Sequence, residues 1–527
     1  MKGFITAEEA AKKIKDGDSL ALGGFLGLSL PEDIYYEMEK RFLETGHPNK
    51  LKLCSVAGLG GDGKVRGYNR FGHPGMVGEL RCCNTTFCPS LQKLASDNDF
   101  PTWMYPQGVM AHMMRAIAGQ QLGVVTKIGL KTYADPREDG CKMNQAAMDD
   151  SREVVKLIDI DGVEQLYYPA WNIDVAIIKG TYSDSHGNIS GEHEAVKLEQ
   201  YEKAAAAHNC GGIVIAQVDA IVEDGVQKPK DMICPGVIVD YVVVGRPDNS
   251  RQNYAFEEGF KPELTGEIRI PLDDVERANL DARKVIARRA AMLISKNSYV
   301  NLGVGVPTTI SSVLNEEGLA NEITFSIESG LTGGVPAGGL GTGAGFNPVC
   351  IFKQTETFDL YDGGGLDYGF LGAAQVDAHG NVNVSKFAGR VVGPGGFSNI
   401  SQCARTIAFC GTFTNGKGAQ IEVKDGKLNI IKDAEGHKFI EKCDQITWSG
   451  DYCREMGIQK AYFITERALF ELKKEGVTLI EIAPGVDLQK DILDKMDFTP
   501  IISEDLKLMD ERIFKDELMG LELLPEK

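Results

Sequence analysis

The sequence predicts an α/β protein built from two similar open domains with mainly parallel sheets. Three observations support this prediction: continuously apolar segments that suit buried strands, helical patterns between them, and two motifs that recur in the second half of the chain. With 527 residues, the chain is also too long for one ordinary hydrophobic core. At least two domains are therefore expected.

Several short segments are apolar throughout and do not alternate with polar residues. They are residues 212–216, 237–244 and 406–409. Strands of this kind are buried on both faces, as in parallel sheets that are covered by helices. Because such segments occur among amphipathic helices, they favour α/β domains.

The first recurring motif is a helix, a short apolar strand, a glycine turn and a new helix that begins near a proline. The N-terminal helix also has capping-box spacing at Thr6 and Glu9. The first copy comprises helix 7–16, the turn Gly23-Gly24-Phe25 and Pro31, and the second comprises helix 280–295, Gly303 and Gly305, and Pro307.

The second recurring motif is Asp-x-His-Gly-Asn, which occurs at residues 184–188 and 377–381. Both copies follow an apolar segment, and we expect each to form a turn between two strands, because Gly and Asn tolerate positive φ. The spacing from glycine turn to this motif is longer in the first half. That half therefore carries extra material, at roughly residues 60–170.

These repeats divide the chain into domains at residues 1–245 and 279–527. The segment 246–278 between them is rich in charge, Pro and Gly and has no periodicity, which indicates an interdomain linker. The charged C-terminal tail from about Ser503 has scattered leucines and is predicted to be a helix.

The composition is that of a globular protein, with 43% hydrophobic and 25% charged residues. The net charge of −19 argues against general binding to nucleic acid or acidic membranes. No apolar run is long enough to cross a membrane, and the N-terminus lacks a signal-peptide core, so a cytoplasmic location is expected. The twelve cysteines include no CxxC pair and HExxH is absent, which favours reduced thiols and no metal site.

Glu328 stands at the end of a short apolar segment, and a glycine-rich loop without charged residues follows it as far as Cys350. Glycines let the backbone approach a ligand closely. A lone carboxylate beside such a loop is a candidate covalent nucleophile, because carboxylates serve in this way when geometry activates them. A solvated glutamate at a strand end is the alternative.

Other segments suit substrate binding less specifically. The turn 393–397, which contains Gly395, Gly396 and Phe397, presents backbone N–H groups that suit an oxyanion or a phosphate, or it is a plain turn. Gln107 begins a predicted helix, where its amide would either cap the helix or donate into a site. The turns at Gly23 and Gly303 are weak phosphate-loop patterns, because neither matches GxGxxG.

In this order, these residues resemble those of the class I coenzyme A transferases, and within that family the single-chain propionate (short-chain acyl) CoA-transferases. The resemblance extends from the N-terminus to about residue 503. Its markers are Gly-Gly-Phe from Gly23, Pro-Gln-Gly ending at Gly108, Ser-Ile-Glu-Ser-Gly around Glu328, Gly-Gly-Val-Pro-Ala-Gly-Gly ending at Gly339, Asp-Gly-Gly-Gly-Leu-Asp at 362–367, Gly-Pro-Gly-Gly-Phe ending at Phe397 and Glu-Ile-Ala-Pro-Gly-Val-Asp at 481–487.

The resemblance implies two open, mainly parallel-sheet domains that correspond to fused α and β subunits, with the active site between them. It also implies roles: Glu328 matches the catalytic glutamate, Gln107 an active-site amide, and the N–H groups of Gly396 and Phe397 the oxyanion turn. Since CoA is anionic and the chain is acidic, Lys386 and Arg390 are candidates for its phosphates, or else solvated charges. The further residues expected near substrate or CoA are Gly23, Gly24, Phe25, Gly108, Gly303, Gly305, Gly338, Gly339 and Gly395.

The implied reaction is transfer of CoA between a short-chain acyl-CoA and a carboxylate of the propionate, acetate, lactate or butyrate class, through a glutamyl-CoA thioester. CoA is then a substrate, no tightly bound cofactor is expected, and a homo-oligomer (dimer or tetramer) is expected. Bulk near Phe25, Leu26 and Met110 would limit the acyl chain. The alternatives are an acyl-CoA hydrolase that uses the same glutamate, and a non-catalytic ligand-binding module on the same fold.

Overall fold

The computed structural model describes residues 3–61, 66–246, 260–271, 277–337, 341–457 and 459–526. Contacts group the chain into two compact units, and each takes residues from more than one segment. Unit 1 comprises Met1–Ile270, Ile327–Asp359 and Ala388–Gly396, and unit 2 comprises Pro271–Ser326, Leu360–Phe387 and Phe397–Lys527.

Two segments from the second half of the chain therefore belong to unit 1, so the compact units do not coincide with the predicted domains 1–245 and 279–527. The division into those domains stays a prediction about how the sequence is built. Much of the predicted linker 246–278 lies outside the described residues, and its described part contains the short helix Pro262–Thr265.

Unit 1 is built around a sheet in which all neighbouring strands are parallel. This confirms the interpretation of the apolar segments at 212–216 and 237–244, although a 3₁₀ turn at Gly236–Ile238 shortens the second strand. In order across the sheet, the strands are Gly3–Phe4, Tyr241–Val244, Ile213–Val218, Val175–Lys179, Ser19–Leu22, Leu51–Cys54, Val77–Cys82 and Thr102–Met104.

Helices lie between these strands in the sequence, and the first begins with the predicted capping box. The Glu9 N–H donates to Thr6 Oγ1 at 3.1 Å, and the Thr6 N–H donates to Glu9 Oε2 at 2.9 Å. The helices are Ala7–Lys13, Glu32–Thr45, Pro89–Ser96, Gln107–Ala118, Gln145–Met148, Gln200–Asn209 and Pro262–Thr265, and Gln354–Asp362 begins in unit 1.

The extra material of the first half supplies two of the main strands and a separate antiparallel sheet. The two strands are Val77–Cys82 and Thr102–Met104. The antiparallel sheet consists of Gly123–Thr126, Val163–Pro169 and Lys156–Ile160. Smaller elements of unit 1 are the 3₁₀ turn Gly67–Phe71 and the strands Tyr182–Ser183, Ile189–Ser190, Ala220–Ile221, Met232–Cys234, Leu331–Thr332, Val335–Pro336, Gly345–Phe346, Cys350–Ile351 and Arg390–Val391.

Unit 2 has a second sheet, whose first five strands are parallel. Its core includes side chains of the helices Ala282–Ala291 and Thr309–Glu316. In order, the strands are Thr324–Ser326, Tyr299–Leu302, Tyr368–Leu371, Thr406–Cys410, Lys460–Ile464, Ala468–Lys473, Gly476–Ile482 and Ile501–Leu508. The other helices are Phe397–Cys403 and Gly450–Met456, and the smaller strands are Gln375–Val376, Val382–Asn383, Lys386–Phe387, Thr414–Asn415, Gln420–Lys424, Lys427–Lys432 and Gly436–His437.

The prediction of a C-terminal helix from Ser503 was wrong. Residues Ile501–Leu508 form a strand that pairs in parallel with Gly476–Ile482, and a 3₁₀ turn follows at Glu511–Phe514. After this turn, the Arg288 guanidinium donates to the carbonyl of Ile513 at 3.1 Å and to that of Glu517 at 2.9 Å. The backbone hydrogen-bonding groups of the tail are therefore satisfied by strand pairing and by the Arg288 side chain. Both partners are distant in sequence, so the local sequence pattern does not determine the conformation of the tail.

Each copy of the Asp-x-His-Gly-Asn motif forms the predicted turn between two short antiparallel strands. In unit 1, Asp184 accepts from the N–H groups of His186 and Asn188 at 3.0 and 2.9 Å. In unit 2, Asp377 accepts from those of His379 and Asn381, both at 3.0 Å. Both aspartates are buried, so the two turns use the same internal acceptor.

The glycine turns after the first strands are also alike. The Gly23 N–H donates to the Ile177 carbonyl at 2.8 Å, and the Gly303 N–H donates to the Phe370 carbonyl at 2.8 Å. Both acceptors belong to the neighbouring parallel strand on the same side. Shared hydrogen bonds and a shared strand order confirm two similar, mainly parallel-sheet halves.

Replacing the buried aspartate of one turn should loosen that turn alone. We expect Asp184→Ala to speed amide hydrogen exchange at His186 and Asn188 by roughly tenfold or more, because an unpaired buried donor costs about 1–3 kcal/mol. The matched variant Asp377→Ala should do the same at His379 and Asn381. If one of these substitutions changed the amide exchange rates equally in both turns, the two motifs would not be independent.

Candidate functional site

Glu328 lies in a tight turn directly after the strand Thr324–Ser326. The Ile327 N–H donates to the Leu331 carbonyl at 3.0 Å, and the Gly330 N–H donates to the Ile327 carbonyl at 3.0 Å. A Cβ atom at Gly330 would lie 2.0 Å from the Phe352 carbonyl oxygen, so only glycine fits there. The turn holds the Glu328 side chain half-buried within unit 1.

The loop after Glu328 packs on the Gly23 turn through apolar residues. Ala337 and Ala344 of the loop belong to one buried cluster with Phe25 and Leu26. A Cβ atom at Gly343 would lie 2.6 Å from the Phe25 ring, which shows how closely the loop approaches. The predicted residues Gly338 and Gly339 lie outside the described residues. The described part of the loop gives the surroundings of the turn an apolar character.

Gln107 is buried at the first position of the helix Gln107–Ala118, as predicted. Its Nε2 donates to Gln354 Oε1 at 3.1 Å, and its Oε1 accepts from the Cys83 thiol at a sulfur–oxygen distance of 3.7 Å. Gly108 follows it and is buried as well. An acceptor on one side and a donor on the other fix the orientation of the amide.

The Cys83 thiol lies within the electrostatic influence of Glu328. Burial raises the pKa of this thiol well above its usual range, and the neighbouring Cys82 thiol and Glu328 carboxylate raise it further. This effect connects the carboxylate with the Cys83–Gln107 pair. Three segments of the chain therefore meet in unit 1: the end of the strand Val77–Cys82, the start of the helix at Gln107, and the turn at Glu328.

The glycine turn at 393–396 joins the same group of residues. The Gly395 N–H donates to the Cys83 carbonyl at 2.9 Å, and the Gln107 N–H donates to the Gly395 carbonyl at 3.3 Å. The Asn84 side-chain amide donates to the Gly393 carbonyl at 2.9 Å. Gly395 has a φ of 60°, a left-handed conformation that favours glycine.

Other predicted site residues fall in unit 2 or on the surface. In unit 2, Phe397 begins the helix Phe397–Cys403, where its N–H has no acceptor within the helix. Gly303 and Gly305 lie in the glycine turn of that unit, and Lys386 is half-buried there. Arg390 belongs to unit 1 and is exposed. Unit 1 thus holds Glu328, Gln107, Gly108, Gly395, Gly396 and the turn Gly23-Gly24-Phe25.

Sequence reasoning missed Cys83, Asn84 and Gln354. It interpreted the cysteines as reduced thiols without a role in the site, and it did not consider the other two residues. One signal was available, because Cys83 and Asn84 directly follow a parallel strand, and ligands bind beyond the carboxyl ends of such strands. Gln354 had no such signal, because its partner Gln107 lies 247 residues away in the sequence.

Three general features complete the description. All twelve cysteines lie in the described part of the chain and are free thiols. The described residues contain no group of three or more His, Cys, Asp or Glu side chains placed to hold a metal ion. No helix among them combines the length and the apolar character that crossing a bilayer requires.

Comparison with known proteins gives consistent matches over the whole chain. A family model described as coenzyme A transferase matches residues 4–245. The caffeate CoA-transferase of Acetobacterium woodii is 42% identical over 534 residues and covers 100% of both chains. The acetate CoA-transferase YdiF of Escherichia coli strain K12 is 41% identical over 525 residues, covering 99% of this chain and 97% of its own.

A solved structure and a separate subunit extend the comparison. The acyl-CoA transferase YdiF of Escherichia coli O157:H7, in a thioester complex with CoA, has a TM-score of 0.92 and 40% identity, covering 100% of this chain and 98% of that one. The acetate CoA-transferase subunit beta of Haemophilus influenzae is 28% identical over 246 residues, which is 44% of this chain and 96% of the subunit. A whole subunit thus corresponds to about half of this chain, as expected for two fused subunits.

Proposed function

The chain belongs to the coenzyme A transferase family, and we propose that it exchanges CoA between a short-chain acyl-CoA and a short-chain carboxylate through a thioester on Glu328. The observation that carries the proposal is the half-buried Glu328 carboxylate in a glycine-dependent turn, whose charge, in addition to burial, raises the pKa of the Cys83 thiol that donates to Gln107. A carboxylate suits this exchange, because the group that leaves and the group that enters are also carboxylates.

The first half-reaction needs two nucleophilic steps at carbonyl carbons. A Glu328 oxygen attacks the thioester carbonyl, the carbon–sulfur bond breaks, and CoA leaves as a thiolate, so that a mixed anhydride remains. The thiolate then attacks the Glu328 side-chain carbonyl carbon and releases the first acid as its carboxylate. The enzyme is left as a glutamyl-CoA thioester, and no net proton is transferred. A second carboxylate reverses these steps and leaves as its CoA ester.

Each step passes through a tetrahedral oxyanion that hydrogen-bond donors must stabilise. In our proposal, the donors are the N–H groups of Gly396 and Phe397 and the second N–H of the Gln107 amide. One Gln107 N–H is used by Gln354, and the fixed orientation of the amide leaves the other available. The apolar cluster that contains Phe25 and Ala344 supports this chemistry by limiting water, since an anhydride hydrolyses readily.

The substrate class rests on the apolar surroundings of the Glu328 turn. Phe25 and Leu26 pack on the loop that follows Glu328, which leaves them placed to limit the acyl chain. Acetate is the acid named for one relative and the bulkier caffeate for another. Because of the apolar bulk of Phe25 and Leu26, we propose short-chain acids of the acetate and propionate type for this chain. CoA is a substrate in this scheme and no tightly bound cofactor takes part. A homo-oligomeric state and a cytoplasmic location stay predictions.

Replacing the nucleophile should abolish the thioester. Mixed with acetyl-CoA or propionyl-CoA without an acceptor acid, the native enzyme should gain a CoA-sized mass on the peptide that contains Glu328. Glu328→Gln should show no adduct and no measurable transfer, because an amide is a poor nucleophile. The control is Glu356→Gln, since Glu356 is exposed and its Oε2 only accepts from the Lys353 N–H at 2.9 Å, as an amide oxygen also can.

The outcomes of this experiment separate the candidate functions. An adduct that a short-chain acid discharges supports the transferase. Steady release of free CoA without an acceptor acid would indicate a hydrolase that uses the same glutamate. Transfer by Glu328→Gln at the native rate would remove Glu328 as the nucleophile.

Removing the Gln107 amide should slow the chemical steps. We expect Gln107→Ala to lower kcat by about 10²–10³-fold, which is typical for the loss of one oxyanion donor. The backbone bond from Gln107 to Gly395 does not need the side chain and should remain. Gln121→Ala, at an exposed position shortly after the same helix, is the control. A native kcat for Gln107→Ala would exclude the amide from the oxyanion site.

Shortening Phe25 should shift the preference for chain length. We expect Phe25→Ala to raise kcat/KM for butyrate relative to acetate by about tenfold, because discrimination per methylene in an apolar pocket is of this order. The ratio within one variant controls for general losses of activity. An unchanged ratio would show that Phe25 does not limit the acyl chain.

A further inference from the structure

A polar cavity of about 350 Å³ lies in unit 1 on the main sheet, and none of the described residues of the candidate active site lines it. Its floor is formed by neighbouring strands. Ser19, Lys52 and Glu79 lie side by side in register on three neighbouring strands. Two residues further along two of these strands, Cys54 is paired with Arg81. Residues two apart on a strand share a face of the sheet, so Glu79 and Arg81 point to the same side.

Arg81 lines this cavity and is mostly buried, with its side chain 12% exposed. Its Nε donates to Glu79 Oε1 at 2.6 Å, but among the described residues its two η nitrogens have no hydrogen-bond acceptor. The guanidinium lies over the rings of Trp171 and Trp103, at 4.6 and 5.5 Å from their centroids. The ring faces hold the guanidinium without using its N–H groups, so the η nitrogens are free to donate into the cavity.

The second arginine of the cavity is different, because each of its three nitrogens already donates to a carboxylate. Arg152 donates from Nη1 to Glu79 Oε2 at 2.7 Å and from Nη2 to Asp150 Oδ2 at 2.7 Å. Its Nε also donates to Asp150. Glu79 is therefore shared between the two arginines, and Arg81 is the one that keeps donors for a ligand.

The rest of the wall adds further donors, together with one exposed carboxylate, Asp174. The indole Nε1 of Trp171 is buried and has no hydrogen-bond partner among the described residues. Lys52 and Asn172 are exposed at the rim. Glu79 is engaged by the two arginines, whereas Asp174 is exposed and accepts from the Ser19 N–H through one oxygen at 2.8 Å.

We propose that this cavity binds an oxyanion, the carboxylate or phosphate group of a small metabolite, through Arg81 and Trp171. The two η nitrogens of a guanidinium match two oxygens of either group, and stacking on indole rings fixes the plane in which they are offered. Lys52 adds positive charge at the rim. The proposal is independent of the reaction at Glu328, since it rests on other residues of unit 1.

The test is a titration of the native enzyme with inorganic phosphate and, separately, with acetate, in a chloride buffer. Calorimetry and tryptophan fluorescence should both report saturable binding of at least one anion, and the two titrations distinguish phosphate from carboxylate. Asn172→Asp and Lys52→Glu place negative charge at the rim and should weaken this binding at least tenfold. Because both positions are exposed, these variants do not depend on repacking the buried arginine. Lys156→Glu, an exposed charge reversal elsewhere in unit 1, should bind as the native enzyme does.

Two further variants address the buried donors. Arg81→Lys should abolish the binding, because an ammonium cannot offer the paired η nitrogens, and Trp171→Phe should weaken it and remove the fluorescence response. Unfolding temperatures identify any variant that fails to fold, in which case the rim variants decide. No saturable binding of either anion overturns the proposal. Binding that all the cavity variants leave unchanged also overturns it, as acetate bound only at the Glu328 site would show.

Discussion

The close backbone contact at Gly393 fixes the geometry on which the candidate active site depends. Gly393 has a φ of +82°, and a Cβ atom there would lie 2.4 Å from the carbonyl oxygen of Cys83. A larger residue would therefore separate the turn from the end of the strand Val77–Cys82. The bonds from Gly395 to Cys83 and from Gln107 to Gly395 need this approach. One glycine thus aligns the 393–396 turn, the Cys83 thiol and the Gln107 amide.

The duplication explains why only one of the two halves carries a glutamate at the position proposed for the nucleophile. Ala21 and Asn301 each stand two residues before the first glycine of their turn, and they pair with Cys54 and Ser326. Two residues beyond these partners lie Val56 in the first half and Glu328 in the second. Val56 is fully buried, so this position became part of the core in one copy and presents the carboxylate in the other. The first half instead contributes Gln107 and Cys83.

Those elements of the fold that depend on residues close together in the sequence could be predicted from the sequence. Buried parallel strands, the capping box at Thr6 and both Asp-x-His-Gly-Asn turns follow from residue types within a few positions of one another. Glu328 could be predicted as a candidate nucleophile as well, because its glycine loop is contiguous with it, and this role stays a prediction. The C-terminal tail could not, since a distant strand and Arg288 determine its conformation.

The way in which the segments of the candidate site come together could not be predicted from the sequence, because it also depends on contacts between residues that are distant in sequence. Segments 327–359 and 388–396 belong to unit 1 because their backbones and side chains contact residues of the first half, such as Cys83 and Gln107. No residue type in those segments encodes the identity of its partner. The buried pair formed by Gln107 and Gln354 is the clearest case, because an amide of either residue alone is compatible with many environments.

The surroundings of Cys83 also select the nucleophile. A thiolate is intrinsically more reactive toward a thioester than a carboxylate is, so a charged Cys83 beside Glu328 would compete for the acyl group. Burial and neighbouring negative charge raise the pKa of Cys83, which keeps it protonated at neutral pH. The protonated thiol instead donates to Gln107 Oε1, which turns the amide N–H groups away from itself. The same negative charge that would make Glu328 a nucleophile in the proposed reaction therefore helps to keep the Cys83 thiol protonated, so that it serves as a hydrogen-bond donor.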